Sequence, residues 1–214
     1  MTESDAPREL NVDRTFDGYE PSYQSFDDRP GLSDSAAKLR AVGLGDLTGT
    51  NVLDIGCNEG FFCGAAKSNG AAMVVGMDRD ATSLAEAHRR FPDCTFVKMS
   101  WDDEWEGRVP GLGTFDTVFM FSAIHYATNP EQLIQRIAVA LRPGGVLLLE
   151  GGIAEGDTDR VLIERTHDQT WHFTRRGFTN LLHAFTIEAE HPSVTQETDP
   201  VPRYILQARL DSPN

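Results

Sequence analysis

Between residues 51 and 150 the apolar residues fall into short unbroken runs instead of alternating with polar ones. NVLDI (51–55), MVVGMD (73–78), TFVKM (95–99), FDTVFMF (115–121) and VLLLE (146–150) are those runs. Runs of this kind, set apart by helical stretches, predict strands buried on both faces of a parallel sheet. FFCGAAKS (61–68) reads as a helix broken by Asn69-Gly70. ATSLAEAHRRF (81–91) reads as another, with Ala81, Leu84, Ala85 and His88 at helical spacing. PEQLIQRIAVAL (130–141) has Pro130 in its first turn and Arg142-Pro143-Gly144-Gly145 to stop it. Right-handed crossovers then give an α/β, doubly wound sandwich with helices on both faces.

The flanks read differently. The first 32 residues are polar and aperiodic, yet carry Phe16, Tyr19, Tyr23 and Phe26. Such a segment is an irregular arm, part of which packs down because a disordered tail is poorer in aromatics. Ser33-Asp34 offers an N-cap for a helix SAAKLRAVGL that stops near Gly43 and Gly45. Residues 151–173 read as a loop or insertion, TRRGFTNLLHAF as a helix, and FTIEAEH and RYILQARL as two last strands. The total is a mostly parallel seven-stranded sheet, with residues 33–214 as a single domain behind the arm.

Composition narrows the function classes. The 214 residues suit one domain. Net charge is −14, which on average repels phosphate polymers and anionic membranes, so no nucleic acid and no membrane are expected as partners. Cys57, Cys63 and Cys94 form no CxxC pair, which argues against a disulfide framework or zinc cluster. The N-terminus lacks an apolar signal-like core, and the chain has no run of about 18 apolar residues. A soluble cytoplasmic protein is the expectation; oligomeric state is not legible.

In open parallel sheets ligands bind at the carboxyl ends of the strands, so the segment Asp54-Ile55-Gly56-Cys57-Asn58-Glu59-Gly60 is the first place to look. Glycine tolerates positive φ and close approach of a ligand, and Asn58 is among the few other types that tolerate the left-handed region. A nicotinamide site needs G-x-G-x-x-G, but the fifth position after Gly56 is Phe61, which excludes that fingerprint. Asp78 ends the second strand, 22 residues after Gly56, where an acid is placed to accept two ribose hydroxyls. Its structural alternative is a helix cap, for which Asp80 is better placed.

The D-x-G-x-N-x-G segment resembles motif I of the class I S-adenosylmethionine-dependent methyltransferases, with Asn58 where a third glycine usually stands. FD-x-V at 115–118, His125 after the fourth strand and LRPGG at 141–145 fit the same pattern, so the resemblance covers about residues 50–150. It implies a Rossmann-like methyltransferase fold with S-adenosyl-L-methionine as cofactor. It assigns the loop residues Asp54, Gly56, Cys57, Asn58 and Gly60, with Asp54 toward the cofactor's amino group. It adds Asp78 and Arg79 at the ribose, Ser100, Trp101 and Asp102 near adenine, and Phe121. Ser100 departs from the family's usual Asp, so that contact falls to Asp102 or to backbone. Trp101 either stacks on adenine or packs under its loop.

For the acceptor, the motif set, the acidic charge and the short chain point to a small molecule, most simply a hydroxyl compound. His125 is either its general base or a structural histidine bonding a loop carbonyl. Tyr126, Tyr19, Tyr23, His167, Trp171 and His172 are candidate pocket residues, and the aromatic arm is either a lid or a surface strap. No acid pair follows the fourth strand, so no catalytic metal is expected; Asp102-Asp103-Glu104 reads as a solvated loop. DIGCNEGFF also resembles the loop of enzymes that modify the wobble uridine of transfer RNA. A protein of this fold that only binds and regulates is the remaining alternative.

Overall fold

Parallel strands form where the unbroken apolar runs lie, because only a sheet covered on both faces removes such runs from water. The computed structural model describes residues 22–164, 169–196 and 199–212. After helix α1 (Ser35–Val42) come β1 (Asn51–Ile55), α2 (Phe61–Ser68), β2 (Met73–Asp78), α3 (Ala81–Arg90), β3 (Thr95–Lys98) and β4 (Phe115–Met120). A 3-10 turn (Ile124–Tyr126), α4 (Pro130–Ala140), β5 (Leu141–Ala154), β6 (Arg160–Glu164), β7 (Gln169–Thr174), α5 (Arg175–Leu181), β8 (Phe185–Pro192) and β9 (Arg203–Leu210) follow.

The order β3-β2-β1-β4-β5 is parallel throughout, with β1 between β2 and β4. Strand order therefore reverses at β1 and β4, whose carboxyl ends flank the crevice where such sheets bind ligands. Antiparallel β9 pairs with β5 and β8, which completes seven strands. The two apolar layers lie on opposite faces. Ile55, Met77, Phe115, Ile137 and Leu149 belong to one, and Val52, Phe62, Cys63, Phe119 and Ile205 to the other.

Of the two readings for residues 151–173, the described residues show an insertion and not a plain loop: β5 runs on to Ala154, and β6 and β7 pair antiparallel and add to its end through Ile153–Phe173 and Ala154–Thr174. Arg142-Pro143-Gly144-Gly145 follows the end of α4 at Ala140 as expected, but β5 already begins at Leu141 and takes this stretch in as a register shift against β4. On α3 the buried residues are Leu84 and Ala87, while Ala81 and Ala85 face solvent. Small Ala87 is needed inside because the Gly60 turn packs against it.

Candidate functional site

The turn leaving β1 is latched to the end of β2. Gly56 N–H and Cys57 N–H both donate to Met77 O, at 2.8 and 3.0 Å. Gly56 has φ 72° and Gly60 φ 81°, conformations that L side chains rarely adopt. Asn58 takes φ 50°, as its residue type allows. Its N–H donates to Asp78 Oδ2 at 2.8 Å, while Asp80 N–H donates to Asp78 Oδ1 at 2.9 Å. Asp80, not Asp78, caps α3 through Thr82 and Ser83. Each Asp78 oxygen keeps a second lone pair for a hydroxyl donor.

Asp54 is buried, and the Cys63 thiol donates to its Oδ2 at 3.4 Å. Burial pushes the Asp54 carboxyl up to about 7; the thiol bond opposes that shift and the nearby Asp78 charge adds to it. Because the folded value lies above the unfolded one, this acid costs stability as pH rises from about 4 to 7. Asp54→Asn is accordingly expected to raise the melting temperature at pH 8 by several degrees, readable by calorimetry, while leaving it unchanged at pH 4.

Residues 22–34 form a strap over this turn. The Gln24 amide spans it: Nε2 donates to Cys57 O at 3.1 Å, and Oε1 accepts from Phe61 N–H, the first amide of α2, at 3.0 Å. Arg29 pairs with Glu59, Phe26 packs edge-on against Phe61, and Arg90 stacks 4.1 Å over the Phe26 ring. Beneath the strap, Tyr23, Gln24, Ser33, Ser35 and Lys38 face Asp54, Gly56, Phe62, Phe121 and Ser122 across a cavity of about 20 Å³. That is room for a water or two.

Beside the cavity lies a buried charge network. Lys38 (2% exposed) donates to Ser122 Oγ at 2.6 Å and to Glu150 Oε2 at 3.0 Å. Glu150 (0% exposed) also accepts from Ser122, Ser193 and Arg203 Nε. Burial acts to raise the Glu150 carboxyl, but the charges of Lys38 and Arg203 and the hydroxyls outweigh it and hold it at about 2. Ser122 has φ 59°, a conformation costly for a residue with a side chain, and its two hydrogen bonds pin it there. The pinned turn leads directly into the 3-10 helix bearing His125.

The structure gathers Asp54, Gly56, Phe121 and Tyr23 around one cavity and sets Asn58 against Asp78. The Trp101 ring packs beside Gly56, and its carbonyl accepts from Trp105 Nε1 and Arg136. Ser100 and Asp102 form a local turn, with Asp102 N–H donating to Ser100 Oγ, and Arg79 is exposed. The Cys57 side chain points away from the crevice toward Gly76 and Cys63, so only its backbone faces the turn's outer side. On β7, His172 turns inward beside Gly152 while Trp171 is 55% exposed; Tyr126 is 59% exposed, and its ring lies 3.9 Å from that of His125. Tyr19 and His167 lie outside the described residues. Among the described residues there is no cluster of three or more His, Cys, Asp or Glu suited to a metal, and no helix long and apolar enough to cross a membrane.

Sequence reasoning missed Gln24, Ser33, Lys38, Ser122, Glu150 and Arg203. One signal was available: a glutamate ending the apolar run VLLLE has to find a buried cation.

Residues 52–145 match the family model described as a methyltransferase domain. The tRNA U34 carboxymethyltransferase of Hahella chejuensis is 34% identical over 122 residues, covering 56% of this chain and 37% of that protein. This chain thus spans little more than a third of that relative. An S-adenosylmethionine-dependent methyltransferase from Mesorhizobium loti superposes with TM-score 0.65 at 22% identity, over 84% of this chain and all of that one. A Burkholderia thailandensis 1,6-didemethyltoxoflavin-N1-methyltransferase, solved with S-adenosylhomocysteine, gives 0.63 at 19%, over 83% and 76%. The relatives' name overturns the expectation that nucleic acid is not a partner. Net charge averages over a whole surface and says little about a single acceptor site.

Proposed function

We propose that this chain is a class I S-adenosylmethionine-dependent enzyme that transfers an alkyl group from that cofactor to a nucleoside of tRNA; the match of residues 52–145 to a methyltransferase-domain model supports the cofactor part of this reading. S-adenosylmethionine is the cofactor of the superfamily. The transferred group is methyl, or carboxymethyl as in the relatives' name. The 34% identity to a tRNA U34 carboxymethyltransferase over 122 residues carries this reading. A tRNA acceptor would place the enzyme in the cytoplasm.

When bound, the cofactor supplies a sulfonium-activated alkyl group. The chain supplies the rest. Asp54 pairs with the cofactor's ammonium, and the free lone pairs of Asp78 accept the ribose hydroxyls as charge-assisted bonds. Trp101 offers a ring beside Gly56. The strap keeps water from the amino-acid end, and since it leaves about 20 Å³ there, it has to shift for the cofactor to enter. His125 takes the acceptor's proton. The exposed rings of Tyr126 and Trp171 suit stacking of an unpaired RNA base, and β7 lies beside the 3-10 helix.

Two expected results follow. With Asp54 at about 7, its carboxylate form would hold the cofactor's ammonium, so Asp54 would release its proton to solvent on binding. Affinity therefore rises with pH from 6 and levels off above 7.5, and Asp54→Asn flattens the curve in titration calorimetry. Second, protein incubated with tRNA and isotopically labelled S-adenosylmethionine, or its carboxylated derivative, should leave label in a uridine after digestion to nucleosides. His125→Ala should cut that rate roughly 100-fold with cofactor affinity kept. Label found in small hydroxyl compounds and absent from tRNA contradicts the acceptor; an unchanged rate in the variant removes His125 from the mechanism.

A further inference from the structure

The cavity under the strap contains two polar groups that the reading above leaves unused. Lys38 lines it with an ammonium that has three protons, two of which go to Ser122 and Glu150. Ser33 is 1% exposed and also lines it, and its Oγ has no hydrogen-bond partner among the described residues. Buried hydroxyls are rarely left so, which makes this one a position awaiting an acceptor or donor. Asp54 lines the same cavity from β1.

We propose that Lys38 and Ser33 are the carboxylate-binding half of a subsite for the α-amino-acid end of S-adenosylmethionine, with Asp54 as its ammonium half. The proposal rests on the cofactor reading. An α-amino acid carries both charges on one carbon, so a site that shuts water out has to answer both. Asp54 alone would strand a desolvated carboxylate. Lys38 answers it with its third proton, while its other two stay with Ser122 and Glu150. Ser33 adds a neutral hydroxyl donor at no cost to existing bonds. Both residues reach the site from outside the matched domain, Ser33 on the strap and Lys38 on α1, so the N-terminal segment becomes part of the cofactor site.

The test is titration calorimetry on the full chain with S-adenosylmethionine and with its decarboxylated analogue, which keeps the amine and lacks the carboxylate. The wild type should prefer S-adenosylmethionine by roughly tenfold or more, the scale of charge-assisted hydrogen bonds. Lys38→Met should lose most of that preference, with affinity for the analogue held within about twofold. Ser33→Ala should lose a smaller part, roughly threefold, at an unchanged melting temperature, and carries the test if the lysine variant does not fold. Equal wild-type affinity for the two ligands, a preference untouched in the variants, or parallel loss of both ligands overturns the subsite. A wild type that binds neither ligand overturns the cofactor reading along with it.

Discussion

Asp78→Ala is expected to weaken S-adenosylmethionine binding by 100-fold or more, about 2.7 kcal/mol. Two effects act together. The carboxylate is proposed to accept both ribose hydroxyls, and bonds of that kind to a charged group contribute roughly 1.5–3 kcal/mol each, net of the exchange with water. The same carboxylate fixes the cofactor turn through Asn58 N–H at 2.8 Å, so its loss also loosens the backbone that surrounds the amino-acid end. Asp78→Asn separates the two: an amide oxygen can still accept from Asn58, and any remaining defect then belongs to the ribose contact. Calorimetric titration reads both variants, with the melting temperature as a check on folding. Retained affinity in Asp78→Ala would remove this residue from the site.

Glu150→Gln is expected to be the most damaging single change to stability, by about 3–5 kcal/mol, the usual penalty for breaking a buried ion pair by removing one partner. Lys38 at 3.0 Å and Arg203 at 3.3 Å would both lose their carboxylate inside the protein. For a chain of this length that corresponds to a fall in melting temperature of roughly 6–20 °C. The pH dependence has a definite sign. A carboxyl held at about 2 in the folded state, against about 4.3 unfolded, contributes stability fully above the unfolded value and loses it as pH falls toward 2. The wild type should therefore lose this contribution between pH 4.5 and 2, and the variant should show a flatter acid limb in thermal melts. A variant as stable as the parent at pH 7 would show that the network contributes nothing.

The order of helices and strands was legible because burial on both faces writes strands as unbroken apolar runs, and α1, α2 and β9 fall where their segments predict. The end of β5 was not. Gly151 and Gly152 read as turn residues, yet both are extended strand. A Cβ at Gly151 would come within 2.6 Å of the Phe178 ring, and one at Gly152 within 2.6 Å of Val201. Glycine stands there for close packing, a reason that no local pattern reveals. Arg142–Gly145 stops α4 as expected, but β5 starts at Leu141 and not at Val146 for a related cause, since a register shift keeps the chain in the sheet through the proline.

The candidate site divides along the same line. Asp54, Gly56, Asn58 and Gly60 stand out because one turn carries them, and Asp78 because the strand–helix unit has a fixed length. Lys38 meets Ser122 across 84 positions and Glu150 across 112, and Gln24 meets Cys57 across 33. Pairings at such separation are made by the fold and leave no spacing to count. The expectation of no nucleic-acid partner was overturned for another reason: a charge of −14 describes the surface as a whole, and the name of the relatives, tRNA U34 carboxymethyltransferase, runs against it.

The most direct measurement is a crystal structure of the full chain grown with S-adenosylhomocysteine. The ribose hydroxyls are expected on the Asp78 carboxylate and the amino group against Asp54, under a strap moved just enough to admit them. A nucleoside bound elsewhere, with Asp78 still engaged by Asn58 and Asp80 alone, would contradict this placement.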